Sequence, residues 1–249
     1  MHNVIKSILI IVLITLVQLS LYALWLKPIM TTWGASTLVV RMPMAGDDQA
    51  HTITSTRAIV INAPQTTVWK WLMQLGADRG GVYSYDFIER AMGYKMRHQE
   101  RIMPDFKNFK VGDMVRSSID PKSALIPFNF RVQAIKPDKT FVLNNWGTFL
   151  LQKVGDKQTR LIIRTQVANT SNVWSNLANE IIFPFHYIME RRTLIGIKAR
   201  AEAGDNLPFS QSKEFAWFSG IILSGLLICF LAFIGRGILK SFIIPAILS

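Results

Sequence analysis

The chain has 249 residues, 28 Lys and Arg against 16 Asp and Glu, a net charge of +12, and half of its residues are hydrophobic. Mean hydropathy is positive, at +0.25, which excludes a disordered basic tail, because disordered chains are poor in apolar residues. A lone cysteine, Cys229, excludes an intramolecular disulfide framework, and no Cys/His cluster has zinc-finger spacing.

The first apolar concentration is residues 8–26, ILIIVLITLVQLSLYALWL, nineteen residues without a charge. At about 1.5 Å per residue such a helix crosses a hydrocarbon core of roughly 30 Å. A cleaved signal peptide is the rival reading, with Lys6 as its positive start, but its apolar stretch exceeds the usual length of about 7–15 residues and no small-x-small cleavage site follows. Residues 8–26 are therefore expected to be an uncleaved transmembrane helix. Residues 27–52, with Pro28, Pro43 and Gly46-Asp47-Asp48, form an extended lead-in.

A domain is expected over 53–203. Thr54 to Ile61 is rich in β-branched residues and stops at Asn62-Ala63-Pro64, reading as a strand. Val68, Trp69, Leu72, Met73 and Leu75 then fall at helical spacing, and a second short helix runs from Tyr85 to Met92. Beyond residue 110 the period becomes two. Phe128, Phe130, Val132 and Ala134 alternate with polar residues, a Lys-Pro-Asp-Lys turn leads into Phe141 to Leu143, and two further strands follow over Thr148–Val154 and Arg160–Ala168. In the last, Leu161, Ile163, Thr165 and Val167 share one face and Arg160, Arg164 and Gln166 the other, the pattern of an antiparallel meander with one buried face. A long helix over 172–203, bent or broken near Pro184, supplies the cover that face needs. Residues 204–214 are a linker.

A second uncharged run, 215–235, is expected as a C-terminal transmembrane helix, followed by a short basic and apolar tail over 236–249. Its Gly220 and Gly225 would let helices approach closely, so a homo-oligomer through the membrane helices is a possible assembly. Two spans put both ends of the chain on one side and leave the side of the domain open, since the positive-inside count does not separate the faces. All 16 acidic residues lie within 27–214 beside 25 basic ones, a balance of +9. The absence of a basic run or an aromatic RNA-binding motif argues against nucleic acid, leaving anionic lipid headgroups or plain solvation as the reason for the charge.

The stretches TRAIVINAPQTTVWKWLMQLG, RGGVYSYDFIERAMG and RIMPDFKNFKVGDMV, with the helix MERRTLIGIKARAE, resemble bacterial members of the START-related helix-grip superfamily (SRPBCC, polyketide cyclase/dehydrase-like), closest to a membrane-anchored subgroup of unknown function. The resemblance covers about residues 33–203 and implies an α+β helix-grip fold, a curved antiparallel sheet wrapped on a long C-terminal helix, here flanked by two transmembrane helices. With the spans it implies a multi-pass protein of the bacterial inner (cytoplasmic) membrane. It does not imply one activity, because a fold hosts many functions.

No P-loop, GxGxxG, GxSxG or HExxH arrangement is present, and no metal or cofactor is expected. Candidate ligand-binding residues are Phe130, Val132 and Ile163 on inward strand positions, Arg192 and Ile195 on the helix seam Phe185, Ile188, Arg192, Ile195 and Ala199, and Tyr83 and Tyr85 in the cluster RGGVYSYD. Arg192 reads two ways: pointing at the sheet and requiring a partner, or snorkelling to solvent. Asp86 and Tyr85 are the weak catalytic candidates, with Asp86 pairing locally as the alternative. The leading expectation is a membrane-anchored binding or carrier protein for a hydrophobic, lipid-like small molecule, partnered by the bilayer and not by nucleic acid. A cofactor-independent cyclase- or hydratase-like enzyme and a structural membrane protein with a closed domain are the alternatives.

Overall fold

The computed structural model describes residues 12–13, 16–47, 50–124 and 129–204, together with Ala216, Ser219, Gly220 and Leu223. Two compact units divide the chain, Met1–Leu207 and Pro208–Ser249.

In the first unit the β-branched and alternating segments form six strands, β1 (His51–Ile61), β2 (Met114–Arg116), β3 (Asn129–Lys136), β4 (Thr140–Leu143), β5 (Gly147–Gly155) and β6 (Gln158–Ala168). They pair antiparallel in the order β1-β6-β5-β4-β3-β2, so the first and last strands of the meander close on each other and β6 lies inside the sheet. Three longer helices accompany the sheet: Gln65–Leu72, Asp86–Ala91 and Val173–Ala203. Ahead of β1 lie two short ones, so in chain order these five are α1 (Lys27–Thr31), α2 (Thr37–Arg41), α3 (Gln65–Leu72), α4 (Asp86–Ala91) and α5 (Val173–Ala203). The α+β architecture expected from periodicity is present, a six-stranded antiparallel sheet with a long C-terminal helix against it.

Asn172 caps α5 by accepting from the backbone N–H groups of Trp174 and Ser175. The helix expected to be bent or broken near Pro184 is continuous through it. Proline removes one backbone donor, but Phe183 and Glu190 on either side are buried in the domain and hold the axis. The inward stripe of α5 is Phe183, Tyr187, Glu190, Leu194, Ile197 and Ala201, spaced 4, 3, 4, 3, 4. Leu194, Ile197 and Ala201 join Leu161, Ile163, Phe141, Phe149, Leu143 and Val132 in one core. The expected seam through Ile188, Arg192 and Ile195 has the same periodicity but is rotated from this stripe, and Arg192 faces elsewhere.

The meander does not have one solvated face. Residues 33–47 cover the back of the sheet, where Val39 and Met44 pack on Ala58 and Ile162. Arg164, read from the alternation as facing water, is 1% exposed there. Its guanidinium donates to the carbonyls of Val39, Val40 and Met42, to Thr56 Oγ1 at 3.1 Å, and to Asp47 Oδ2 at 2.5 Å. The lead-in is thus a folded strap pinned by one buried cation, where an extended segment was expected.

The two-span membrane placement is overturned: among the described residues no helix is long and apolar enough to cross a membrane. Within the first run, residues 16–26 are helical and include a π-helical turn over Tyr22–Leu26. That stretch continues into α1, whose polar end is built into the domain. Lys27 Nζ pairs with Glu180 at 2.7 Å, Met30 is 4% exposed, and the Met30 carbonyl accepts from Arg57. The second run, 215–235, and with it the pairing expected through Gly225, lies outside the described residues apart from the four named above.

Candidate functional site

Two polar clusters flank α5, one on each side. On the sheet side, strand alternation places Ser55 and Arg57 of β1 on the inner face, with Ser55 directly opposite Thr165 of β6. Glu190 of α5 enters among them, 2% exposed. Its Oε1 accepts from Arg57 Nη1 at 2.5 Å, and its Oε2 accepts from Thr165 Oγ1 at 2.6 Å and from Trp146 Nε1 at 3.3 Å. His186, one turn earlier, places Nε2 3.6 Å from Oε2. Burial pushes the Glu190 carboxyl up, but His186, Arg57 and the hydrogen bonds from Thr165 and Arg57 outweigh it and hold the pKa below its usual value. Although 36% of the His186 side-chain area is accessible, crowding by the surrounding chain lowers its pKa, against the pull of Glu190 and helped by Arg57. At neutral pH the cluster therefore holds one cation and one anion.

Arg57 is 0% exposed. Its Nε donates to the Met30 carbonyl at 2.7 Å, and its guanidinium lies over the Phe183 and Tyr187 rings at 5.5 and 5.1 Å. Nη2 of Arg57 and Oγ of Ser55 are buried with no hydrogen-bond partner. Trp146 reaches the cluster because Gly147 follows it at φ +126°, where an added Cβ would sit 1.9 Å from the Arg164 carbonyl oxygen. The Trp146 ring packs on Phe130 at 4.8 Å and Phe149 at 5.1 Å, joining the charged end of the interior to its aromatic wall.

The other side of α5 faces residues 82–100. Thr193 Oγ1 donates to the Val82 carbonyl, Ser84 Oγ to that of Met189, and Arg200 Nε to that of Gln99. Here Arg192 lies over the Tyr85 ring at 5.7 Å and Arg200 over the Tyr83 ring at 4.9 Å. Burial is the first cause that lowers the Arg192 pKa to about 10. Asp86 Oδ1 pairs with His98 Nδ1 at 2.9 Å, and one turn further along α4 lies Glu89, 4% exposed with neither carboxyl oxygen hydrogen-bonded. Burial first, then the charge of Asp86, pushes Glu89 up to about 8 against the pull of Arg90.

The structure brings Tyr85, Asp86 and Arg192 together on this second side. Tyr83 stands at φ +58° with its ring in the core against Trp71, and its hydroxyl donates to the Trp71 carbonyl at 2.9 Å. Burial raises its pKa. Phe130, Val132 and Ile163 line the sheet-side core, whereas Ile195 is half-buried outside it. Arg57, Ser55, Thr165, Trp146 and Glu190 were not read from the sequence. The available signal was an arginine inside the apolar strand TRAIVI, matched by a glutamate on a second, equally periodic stripe of α5.

No protein-family profile matches the sequence, and no curated protein matches it. Solved structures similar to the chain include a conserved protein of unknown function from Enterococcus faecalis, at 14% identity over 71% of this chain and 88% of that one, with a TM-score of 0.38. The Aha1 dimer from Colwellia psychrerythraea is similar at 15% identity over 60% and 96%, with a TM-score of 0.34. Structural neighbours also include a polyketide cyclase-like protein from Corynebacterium glutamicum, at 14% identity over 65% of this chain and 94% of that one, TM-score 0.32.

Proposed function

We propose that the domain binds a hydrophobic small molecule between the inner face of its sheet and α5 and serves as a binding or carrier protein, not as a catalyst. The observation that carries this reading is the apolar surface of α5, which does not stop where the sheet stops. Trp174, Leu177, Ile181 and Ile182 are 74%, 49%, 70% and 49% exposed, while Phe183 on the same helix is 9% exposed and adjoins Arg57 in the interior. An exposed apolar surface of this kind marks where an apolar ligand or partner arrives. Along α5 this surface leads to the aromatic interior past the Lys27–Glu180 pair, whose ammonium lies over the Phe183 ring at 5.8 Å. In this reading Phe130, Val132 and Ile163 form the wall met by the ligand. Tyr83, Tyr85, Arg192 and Ile195 act from the other flank by holding the helix in place.

Organic extraction and mass spectrometry of the purified full-length chain test the proposal. The expected result is one hydrophobic compound, or a narrow series, enriched to a near-stoichiometric amount over a control protein purified from the same cells. An extract indistinguishable from the control, together with no saturable uptake of an apolar fluorescent probe, overturns it.

A further inference from the structure

We infer that the buried cluster around Glu190 is the recognition end of that site, and that it selects an apolar molecule carrying a neutral hydrogen-bond acceptor, a ketone, ester or amide carbonyl, over a carboxylate or a plain hydrocarbon. This rests on the binding function proposed above and adds the ligand's chemical class.

Arg57 Nη2 and Ser55 Oγ are both donors, both buried and both without a partner. They lie on one face of β1 two residues apart, next to Thr165 and Glu190, whose hydrogen bonds to each other and to Arg57 fix the geometry. Leaving a buried donor unmade is costly, more so for a charged group, so the position favours any ligand that brings an acceptor to it. A hydrocarbon brings none.

Charge balance decides which acceptor. The Arg57 cation is already matched by Glu190 at 2.5 Å, and His186 is lowered toward its neutral form. A carboxylate entering here would leave one uncompensated negative charge in a desolvated interior, whereas a carbonyl oxygen takes the same two donors at no charge cost. The adjoining wall of Trp146, Phe130 and Phe149 suits the apolar remainder of such a molecule. A hydrogen bond to a charged donor is worth about 1.5–3 kcal/mol, which corresponds to a preference of roughly 10- to 150-fold for the carbonyl compound over the hydrocarbon of equal length.

The test is equilibrium binding of 2-undecanone, undecane and decanoate to the full chain, followed through tryptophan emission, for the native protein and for Ser55→Ala and Arg57→Met. The ketone is expected to bind about tenfold or more tightly than the alkane and more tightly than decanoate. Both variants are expected to shrink that preference while leaving undecane binding unchanged. Ser55→Ala keeps the Arg57–Glu190 pair intact, so it reports even where Arg57→Met does not fold. Equal binding of ketone and alkane, tightest binding of decanoate, or a preference that survives Ser55→Ala overturns the inference while leaving the binding function standing. Failure of all three compounds to bind overturns the inference and, together with an extract indistinguishable from the control, the binding function as well.

Discussion

Replacing Gly196 by Ala sets two effects of opposite sign against each other. Gly196 lies inside α5, where alanine is the better helix former by about 1 kcal/mol, so propensity alone predicts a gain in stability. The tertiary structure predicts a loss. A Cβ at this position would stand 2.2 Å from the Tyr83 carbonyl oxygen and 2.9 Å from the Tyr83 Cβ, so helix and loop would have to separate by about 1 Å. Neither side yields easily. Tyr83 is held at φ +58° with its hydroxyl on the Trp71 carbonyl, and α5 is tied to the neighbouring residue by the Thr193–Val82 hydrogen bond. Overpacking of this kind costs about 1–3 kcal/mol, and a backbone neighbour places it toward the upper end. The net expectation is a loss of about 2 kcal/mol, or a fall in Tm of about 4–8 °C for a chain of this size. Urea unfolding of both proteins measures it as a lower midpoint at an unchanged slope. A midpoint that rises by the amount propensity predicts would refute the close approach of α5 to Tyr83.

Arg164→Ala removes the cation that pins residues 33–47 to the back of the sheet, taking the guanidinium from the carbonyls of Val39, Val40 and Met42 and leaving Asp47 with the Met44 N–H and the Gln166 amide. Loss of about 3–5 kcal/mol, with early exposure of residues 37–47 to limited proteolysis, is the expected outcome, and an effect below 1 kcal/mol would refute the strap. Glu89 binds its proton more tightly in the folded state, where its pKa is about 8, than in the unfolded chain near 4.5. Between those values the folded state holds a proton that the unfolded state has released, so its contribution to stability falls as pH rises from about 5 to 8 and is level above. Glu89→Gln is expected to flatten that slope and to exceed the native protein by a few kcal/mol at pH 9, as read by denaturation at a series of pH values. Lys27→Ala breaks the exposed pair with Glu180 and removes the ammonium 5.8 Å from the Phe183 ring centre, and is expected to change stability by about 1 kcal/mol, a salt-sensitive effect.

How far the site was legible depends on the range of the interactions that build it. Ile163, Phe130 and Val132 were found from alternation because a strand's two faces follow from its own residues. The sequence leaves Arg192 open between sheet and solvent because two stripes of α5 share i, i+3 and i+4 spacing and nothing within the helix says which one meets the sheet; in the structure it lies over the Tyr85 ring. Arg57 and Glu190 escaped notice because they are 133 positions apart and each alone reads as an ordinary polar residue. Alternation puts Arg164 on a wet face because it assumes one, and the segment that covers that face, residues 33–47, folds around one short helix, not as a strand.

The order from β1 onward apart from the short edge strand β2, the antiparallel meander and the long C-terminal helix are legible in the residues themselves, since these rest on periodicity. Only the tertiary structure decided the rotation of that helix, the covering of the sheet's back and the joining of the first apolar run to the domain through Lys27 and Met30. It also decided that a buried arginine and a buried glutamate neutralise each other in the interior. These are choices between locally equivalent alternatives, and contacts distant in sequence supply the energy that separates them.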